Sequence, residues 1–89
     1  MRQARFKPRC LRDLKIIKRR GLNEDRLYEV LELLMRDGRL QSSFKPHKLS
    51  GIYEGLWECH VWHDWLLIYN VTDKEILLAR TGTHADLFE

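Results

Sequence analysis

The sequence predicts an α+β fold in which a helical hairpin packs on one face of a small antiparallel β-sheet. Two observations carry this. Apolar residues return at helical spacing in two stretches before residue 38, and strand-like apolar runs fill the stretch after Gly51. Helices first and a meander after them give one layer of each.

Residues 1–5 are too short and too charged for more than a stub of edge strand or a loose arm. Over residues 8–20 the spacing predicts a helix. Pro8 suits its first turn, Leu11, Leu14 and Ile17 recur on one side with Cys10 alongside, and Gly21 stops it. Arg9, Arg12, Lys15, Lys18, Arg19 and Arg20 make the rest of its surface strongly cationic. Asn23 can cap a second helix, with Glu24 and Asp25 at the positive end of its dipole. Leu27, Val30, Leu31 and Leu34 then follow the i, i+3, i+4, i+7 pattern of a buried stripe, widened by Tyr28 and Met35, and Asp37-Gly38 ends it. Residues 39–51 form a linker punctuated by Ser42-Ser43, Pro46 and Gly51, and this linker carries His47. Strands follow at 53–61, 65–71 and 76–81, the last two joined as a hairpin by the polar turn 72–75. The unbroken run WLLIY places the middle strand at the centre of the sheet, covered on both faces. The face away from the helices is then available for a ligand.

Eighty-nine residues make one domain, 1–89, with one modest core and no room for a separate cofactor domain. No apolar run approaches the roughly 18 residues needed to span a bilayer. The basic N-terminus lacks the apolar stretch of a signal peptide, so the chain reads as soluble and cytoplasmic. Cys10 and Cys59 read as two reduced, buried thiols rather than a disulfide framework. Charge is unevenly spread: residues 1–50 carry 14 Lys/Arg against 6 Asp/Glu, residues 51–89 carry 2 against 7. Clustered cations of this kind suit a polyanionic partner, nucleic acid or an acidic protein, or form a solvated helix face.

The chemistry is concentrated between Glu58 and Phe88. His60 stands near the end of one strand and Asp64 near the start of the next, so a tight turn brings both to one edge of the sheet. Arg80 falls at the end of the third strand, His84 is lifted off the sheet after Gly82, and Phe88 follows. Histidines move protons near neutral pH, an arginine fork matches phosphate oxygens, and an aromatic ring stacks on a base. These are the parts of a metal-free ribonuclease in which the RNA's own 2′-hydroxyl attacks the adjacent phosphorus. A thiol nucleophile at Cys59 is disfavoured, because neighbours in a strand point to opposite faces. Zinc is the sharper competitor, since His60, His63, Asp64 and His84 are ligand types it accepts. Packing roles for Trp62 and Trp65, a solvent-facing His63, and an Arg80 paired with Glu58 or Asp64 make up the structural alternative.

The segments KPHKLSG, ECHVWHDWLLIY and ARTGTHADLF, in this order after a basic helix and an amphipathic one, resemble the YafQ-type toxins of the RelE/ParE superfamily. These are bacterial mRNA interferases of type II toxin-antitoxin modules. The resemblance implies a RelE-like, microbial-RNase-like fold, cleavage of mRNA in the ribosomal A site without a cofactor, and inhibition by a cognate antitoxin in a tight hetero-oligomeric complex. Operator DNA would be met only through the antitoxin. His47, His60, Asp64, Arg80, His84 and Phe88 would form the catalytic set, with Arg80 on the transition-state phosphate and Phe88 orienting the RNA. Trp65, His63, Lys45 and Lys48 would contact RNA, and so would Arg12, Lys15 and Arg19 on the basic helix. Three positions depart from the family pattern: Trp57 replaces a common arginine, His63 a proline, and Pro46 an aspartate. The alternative within this fold is a catalytically weak RNA-binding or antitoxin-partner protein, and beyond it a zinc phosphodiesterase.

Overall fold

The computed structural model describes all of residues 1–89. Strand β1 (Gln3–Phe6) leads into helices α1 (Pro8–Arg19) and α2 (Asp25–Asp37). Strands β2 (His47–Lys48), β3 (Trp57–Trp62), β4 (Trp65–Val71) and β5 (Glu75–Gly82) follow, and a short helix α3 (His84–Phe88) ends the chain. One five-stranded sheet has the order β1-β5-β4-β3-β2. Only β1 runs parallel to its neighbour, β5; the other pairings are antiparallel.

The helical hairpin forms as its pattern requires. Cys10, Leu14 and Ile17 of α1 and Leu27, Val30, Leu31 and Leu34 of α2 are buried against Cys59, Val61, Trp65, Leu67, Tyr69, Ile76 and Leu78 of the sheet. Leu11, expected on the buried side of α1, is instead 49 % exposed, because Asp13 takes part of the face turned inward. Asn23 works one step earlier than a cap residue: its Oδ1 accepts the Asp25 N–H at 3.0 Å, and the helix begins behind it. Gly38 closes α2 with φ +73°, a conformation that suits a residue without Cβ, and its N–H returns to the Leu34 carbonyl.

Of the two forms expected for the N-terminal stub the structure has the edge strand, tied by Gln3 N–H to the Lys74 carbonyl and Lys7 N–H to the Leu78 carbonyl. Three differences from the sequence expectation matter for the site. The linker contains β2, a two-residue strand that pairs His47 with Glu58 and Lys48 with Trp57. Tyr53 lies in a 3₁₀ turn, Gly51–Tyr53, so β3 starts only at Trp57. Finally, the far face of the sheet is not open. Leu66, Ile68, Ala79 and Leu87 form a second buried cluster there, flanked by Leu49, Tyr53, Leu56 and Phe88. That cover follows from the central strand itself, since an apolar run buried on both faces needs a lid on each.

Candidate active site

The sheet register collects the expected residues. Cross-strand partners share a face, so the pairings His47–Glu58, Glu58–Ile68 and Ile68–Arg80 define one row across β2, β3, β4 and β5. The adjacent row is His60–Leu66–Gly82. Both rows lie on the face away from α1 and α2, so His47, His60 and Arg80 emerge on the same side. Lys48, next to His47 and paired with Trp57, belongs to the other face.

Hydrogen bonds fix the histidine protons. The His60 Nδ1 lies 3.1 Å from the His63 carbonyl oxygen. A carbonyl only accepts, so Nδ1 carries the hydrogen and the neutral ring has an unprotonated Nε2. His63 supplies that carbonyl from a left-handed conformation, φ +48°, at the β3–β4 turn. The ring of His47 is engaged at both nitrogens: Nδ1 lies 3.1 Å from the Lys45 carbonyl and Nε2 lies 2.9 Å from Glu58 Oε2. Glu58 is 4 % exposed, and its other oxygen, Oε1, is buried without a partner. One proton is therefore shared along the His47–Glu58 contact.

Arg80 is partnered, but with neither Glu58 nor Asp64. Its Nε and Nη2 donate to the two carboxylate oxygens of Asp13 at 2.7 and 3.2 Å, and its Nη1 donates to the Tyr53 hydroxyl at 3.2 Å. Hydrogen bonding to Asp13 raises the guanidinium further above its ordinary range, so Arg80 stays a cation. Tyr53 passes its own hydrogen to the Leu87 carbonyl at 2.8 Å.

Helix α3 brings up the remaining groups. Thr83 Oγ1 accepts the Asp86 N–H and Asp86 accepts the Thr83 N–H, a capping box that starts the helix abruptly after β5. Arg20, just after α1, grips the Asp86 carboxylate with both terminal nitrogens, which holds that carboxyl well below the usual range. Asp64 accepts the His84 N–H at 3.1 Å. The His84 ring lies on Phe88 with centroids 4.7 Å apart, and Phe88 meets Tyr53 edge-on at 5.4 Å. Asp64 and His60 thus meet at the same turn without bonding to each other.

Other expected residues fall elsewhere. Trp65 is 2 % exposed in the hairpin-side core, with its Nε1 donating to Thr81 Oγ1 at 2.8 Å, so its ring has no free face for RNA. Burial pushes both thiols up to about 12, which leaves Cys10 and Cys59 protonated and unreactive. His63 is exposed and packs against Trp62, itself 41 % exposed and covered by the Arg26 guanidinium at 3.3 Å. Lys45 is exposed beside His47, while Arg12, Lys15 and Arg19 are exposed on α1 and enter no ion pair within the chain. Sequence reasoning missed Glu58, Asp13 and Tyr53 as members of this site. No three His, Cys, Asp or Glu side chains form a group able to hold a metal ion, so the donor set proposed for zinc does not assemble.

Comparisons with known proteins give the family and the fold. A family model described as the bacterial toxin YafQ of type II toxin-antitoxin systems matches residues 2–89. The mRNA interferase toxin YafQ of Escherichia coli K12 is 35 % identical over 88 residues, 98 % of this chain and 96 % of that protein. A crystal structure of a histidine-to-glutamine mutant of Escherichia coli YafQ superposes with TM-score 0.91 at 33 % identity, covering both chains completely. The Escherichia coli DinJ–YafQ complex matches with TM-score 0.88 at 33 % identity, again over both whole chains. A metal-bound toxin from Helicobacter pylori matches with TM-score 0.88 at 31 % identity, over 99 % of this chain and all of that one.

Proposed function

The chain belongs to the YafQ family of type II toxin-antitoxin toxins, and from that membership we propose that it is a ribosome-dependent endoribonuclease that cuts mRNA. One observation carries the chemical reading: two adjacent rows of a single sheet face bear His47, His60 and Arg80, and α3 sets His84 and Phe88 at their border. The whole chain, 1–89, acts as one toxin domain in the cytoplasm, and a cognate antitoxin holds it inactive in a tight complex. The DinJ–YafQ assembly of the relative is the support for such a partner.

In the proposed reaction the 2′-hydroxyl oxygen attacks the adjacent phosphorus. Its proton passes to the unprotonated Nε2 of His60, whose Nδ1–H is held by the His63 carbonyl. The bond from phosphorus to the 5′-oxygen breaks, and that oxygen takes a proton from an imidazolium. This leaves a 2′,3′-cyclic phosphate and a free 5′-hydroxyl. That imidazolium is His84 or His47, and His47 can give its Nε2 proton only by releasing its contact with the buried Glu58 carboxyl. His84 on its Phe88 platform lies beside the leaving group or the flanking base. Arg80 meets the charge that develops on the phosphorane. Exposed Lys45 and the unpaired cations Arg12, Lys15 and Arg19 serve the ribosomal RNA. Operator DNA is met only through the antitoxin. As proposed, the reaction uses no metal, and the chelator comparison below tests this.

The test uses purified toxin freed of antitoxin, ribosomes programmed with a defined message, and mapping of 5′ ends. Wild type should create new ends on ribosome-bound message and none on naked RNA, with a chelator making no difference. His60→Ala should reduce the rate by about 10²-fold or more. Equal cutting of naked RNA would remove ribosome dependence, and loss of cutting with chelator would remove the metal-free mechanism. Soluble wild-type protein that cuts neither RNA would leave the binding-partner reading in its place.

A further inference from the structure

We infer that Asp13 and Tyr53 are positioning residues for this cleavage, holding the Arg80 guanidinium in one orientation and leaving two of its N–H groups for the phosphate. The inference rests on the nuclease reading of the site.

Asp13 lies in α1, 67 residues away from Arg80 in sequence, and is 4 % exposed. Its carboxylate grips the guanidinium side-on through Nε and Nη2, and its Oδ2 also accepts the Thr81 backbone N–H at 3.1 Å. The pairing of β1 with β5 ends at Leu78, so Thr81 has no outer strand to receive its N–H, and Asp13 takes that place. One buried carboxylate therefore fixes both the head of Arg80 and the backbone that follows it. A group needed only to neutralise a cation would require neither the side-on geometry nor the backbone bond.

Tyr53 acts from the opposite side. Its hydroxyl accepts Arg80 Nη1 and donates to the Leu87 carbonyl, while its ring sits edge-on to Phe88. A continuous chain thus runs from α1 through Asp13, Arg80 and Tyr53 to α3. It sets the spacing between the cation and the His84–Phe88 platform. A guanidinium has five N–H groups, and three are engaged here. One remains on each terminal nitrogen, a pair of donors matched to two phosphate oxygens.

The experiment is single-turnover cleavage of message on programmed ribosomes by antitoxin-free toxin, with Asp13→Asn and Tyr53→Phe each made in wild-type and Arg80→Lys backgrounds. In the wild-type background Asp13→Asn should slow cleavage by about 10²-fold and Tyr53→Phe by about tenfold, with KM for the ribosome unchanged, as misplacement of a catalytic group does. Lysine keeps a charge but has no fork for Asp13 to hold, so in that background either change should cost less than about twofold. Losses of the same size in both backgrounds, or no loss from Tyr53→Phe in wild type, overturn the inference. Tyr53→Phe removes one hydroxyl only, so it decides the matter if Asp13→Asn does not fold. Inactive wild type would bring down the nuclease reading and this inference together; active wild type with equal losses brings down this inference alone.

Discussion

The two faces of the sheet are built on different terms. Towards α1 and α2, 14 buried residues form one continuous cluster. On the other face only Leu66, Ile68, Ala79 and Leu87 are buried as a cluster, and they share that face with His47, Glu58, His60 and Arg80. Helix α3 is held there by few apolar contacts and by polar links: Arg20 to Asp86, Asp64 to the His84 N–H, and Tyr53 to the Leu87 carbonyl. Stability resides mainly on one face and the proposed chemistry on the other. The thin cover has a physical reason in that proposal, because a thick apolar layer over that face would bury the groups it brings to a phosphate.

The largest expected effect breaks this division if it is wrong. Leu67→Ala removes a fully buried side chain from the larger cluster and should lower unfolding stability by about 3 kcal/mol in denaturant titration. Leu87→Ala, at the edge of the small cluster, should cost nearer 2 kcal/mol yet reduce cleavage at least about tenfold, because Leu87 seats the helix that carries His84 and Phe88. If Leu87→Ala kept wild-type cleavage, α3 would not depend on that contact. Gly82→Ala comes next. A Cβ at Gly82 would stand 2.9 Å from the Asp86 Cβ and Oδ2, so α3 must shift, at about 1–3 kcal/mol. Its cleavage defect should exceed that of Leu67→Ala, although its stability loss is no greater.

A smaller effect depends on pH. Arg20 holds the Asp86 carboxyl below its ordinary range, helped by the Thr83 N–H. A carboxyl whose pKa is lowered by folding adds stability above its unfolded value, and that stability is lost as pH falls through the folded value. The gap between wild type and Asp86→Asn should therefore be full above about pH 5 and shrink steadily below about pH 4. With Arg20 41 % exposed, the ion pair accounts for about 1 kcal/mol at most. A gap independent of pH would mean that Asp86 acts through its cap alone.

How much of this could be read beforehand differs between the faces in the same way. The hairpin side was legible because Leu27, Val30, Leu31 and Leu34 repeat at a period that burial imposes, and β4 begins and ends where its apolar run does. The site side depends on long-range pairing. Two residues of β2 are too few to show a period, and they become a strand only because β3 is beside them. Asp13 and Glu58 look like solvated charges in sequence, since their partners Arg80 and His47 lie in other elements. Helix α3 is too short for periodicity, yet Thr83 and Asp86 stand at capping-box spacing, a signal present in the chain and overlooked. The resemblance places Trp65 on the RNA, whereas the pleat turns it into the core, the packing role that the residues alone left open.

The smallest effect is expected where the two sides touch. Arg26, in the first turn of α2, covers the ring of Trp62 at 3.3 Å, and Trp62 in turn packs on His63 at the turn that orients His60. A partly exposed cation–π contact of this kind contributes about 0.5–1 kcal/mol, so Arg26→Ala should lower stability by no more than that. The His60 hydrogen bond to the His63 carbonyl is made within the turn itself and needs nothing from α2. The imidazole nitrogen shifts of His60 in an NMR spectrum should accordingly keep the pattern of an Nδ1–H tautomer, with cleavage within about threefold of wild type. A lost tautomer, with cleavage falling alongside it, would show that the hairpin side reaches through Trp62 to set the base, and the separation between the two faces would then fail at its narrowest point.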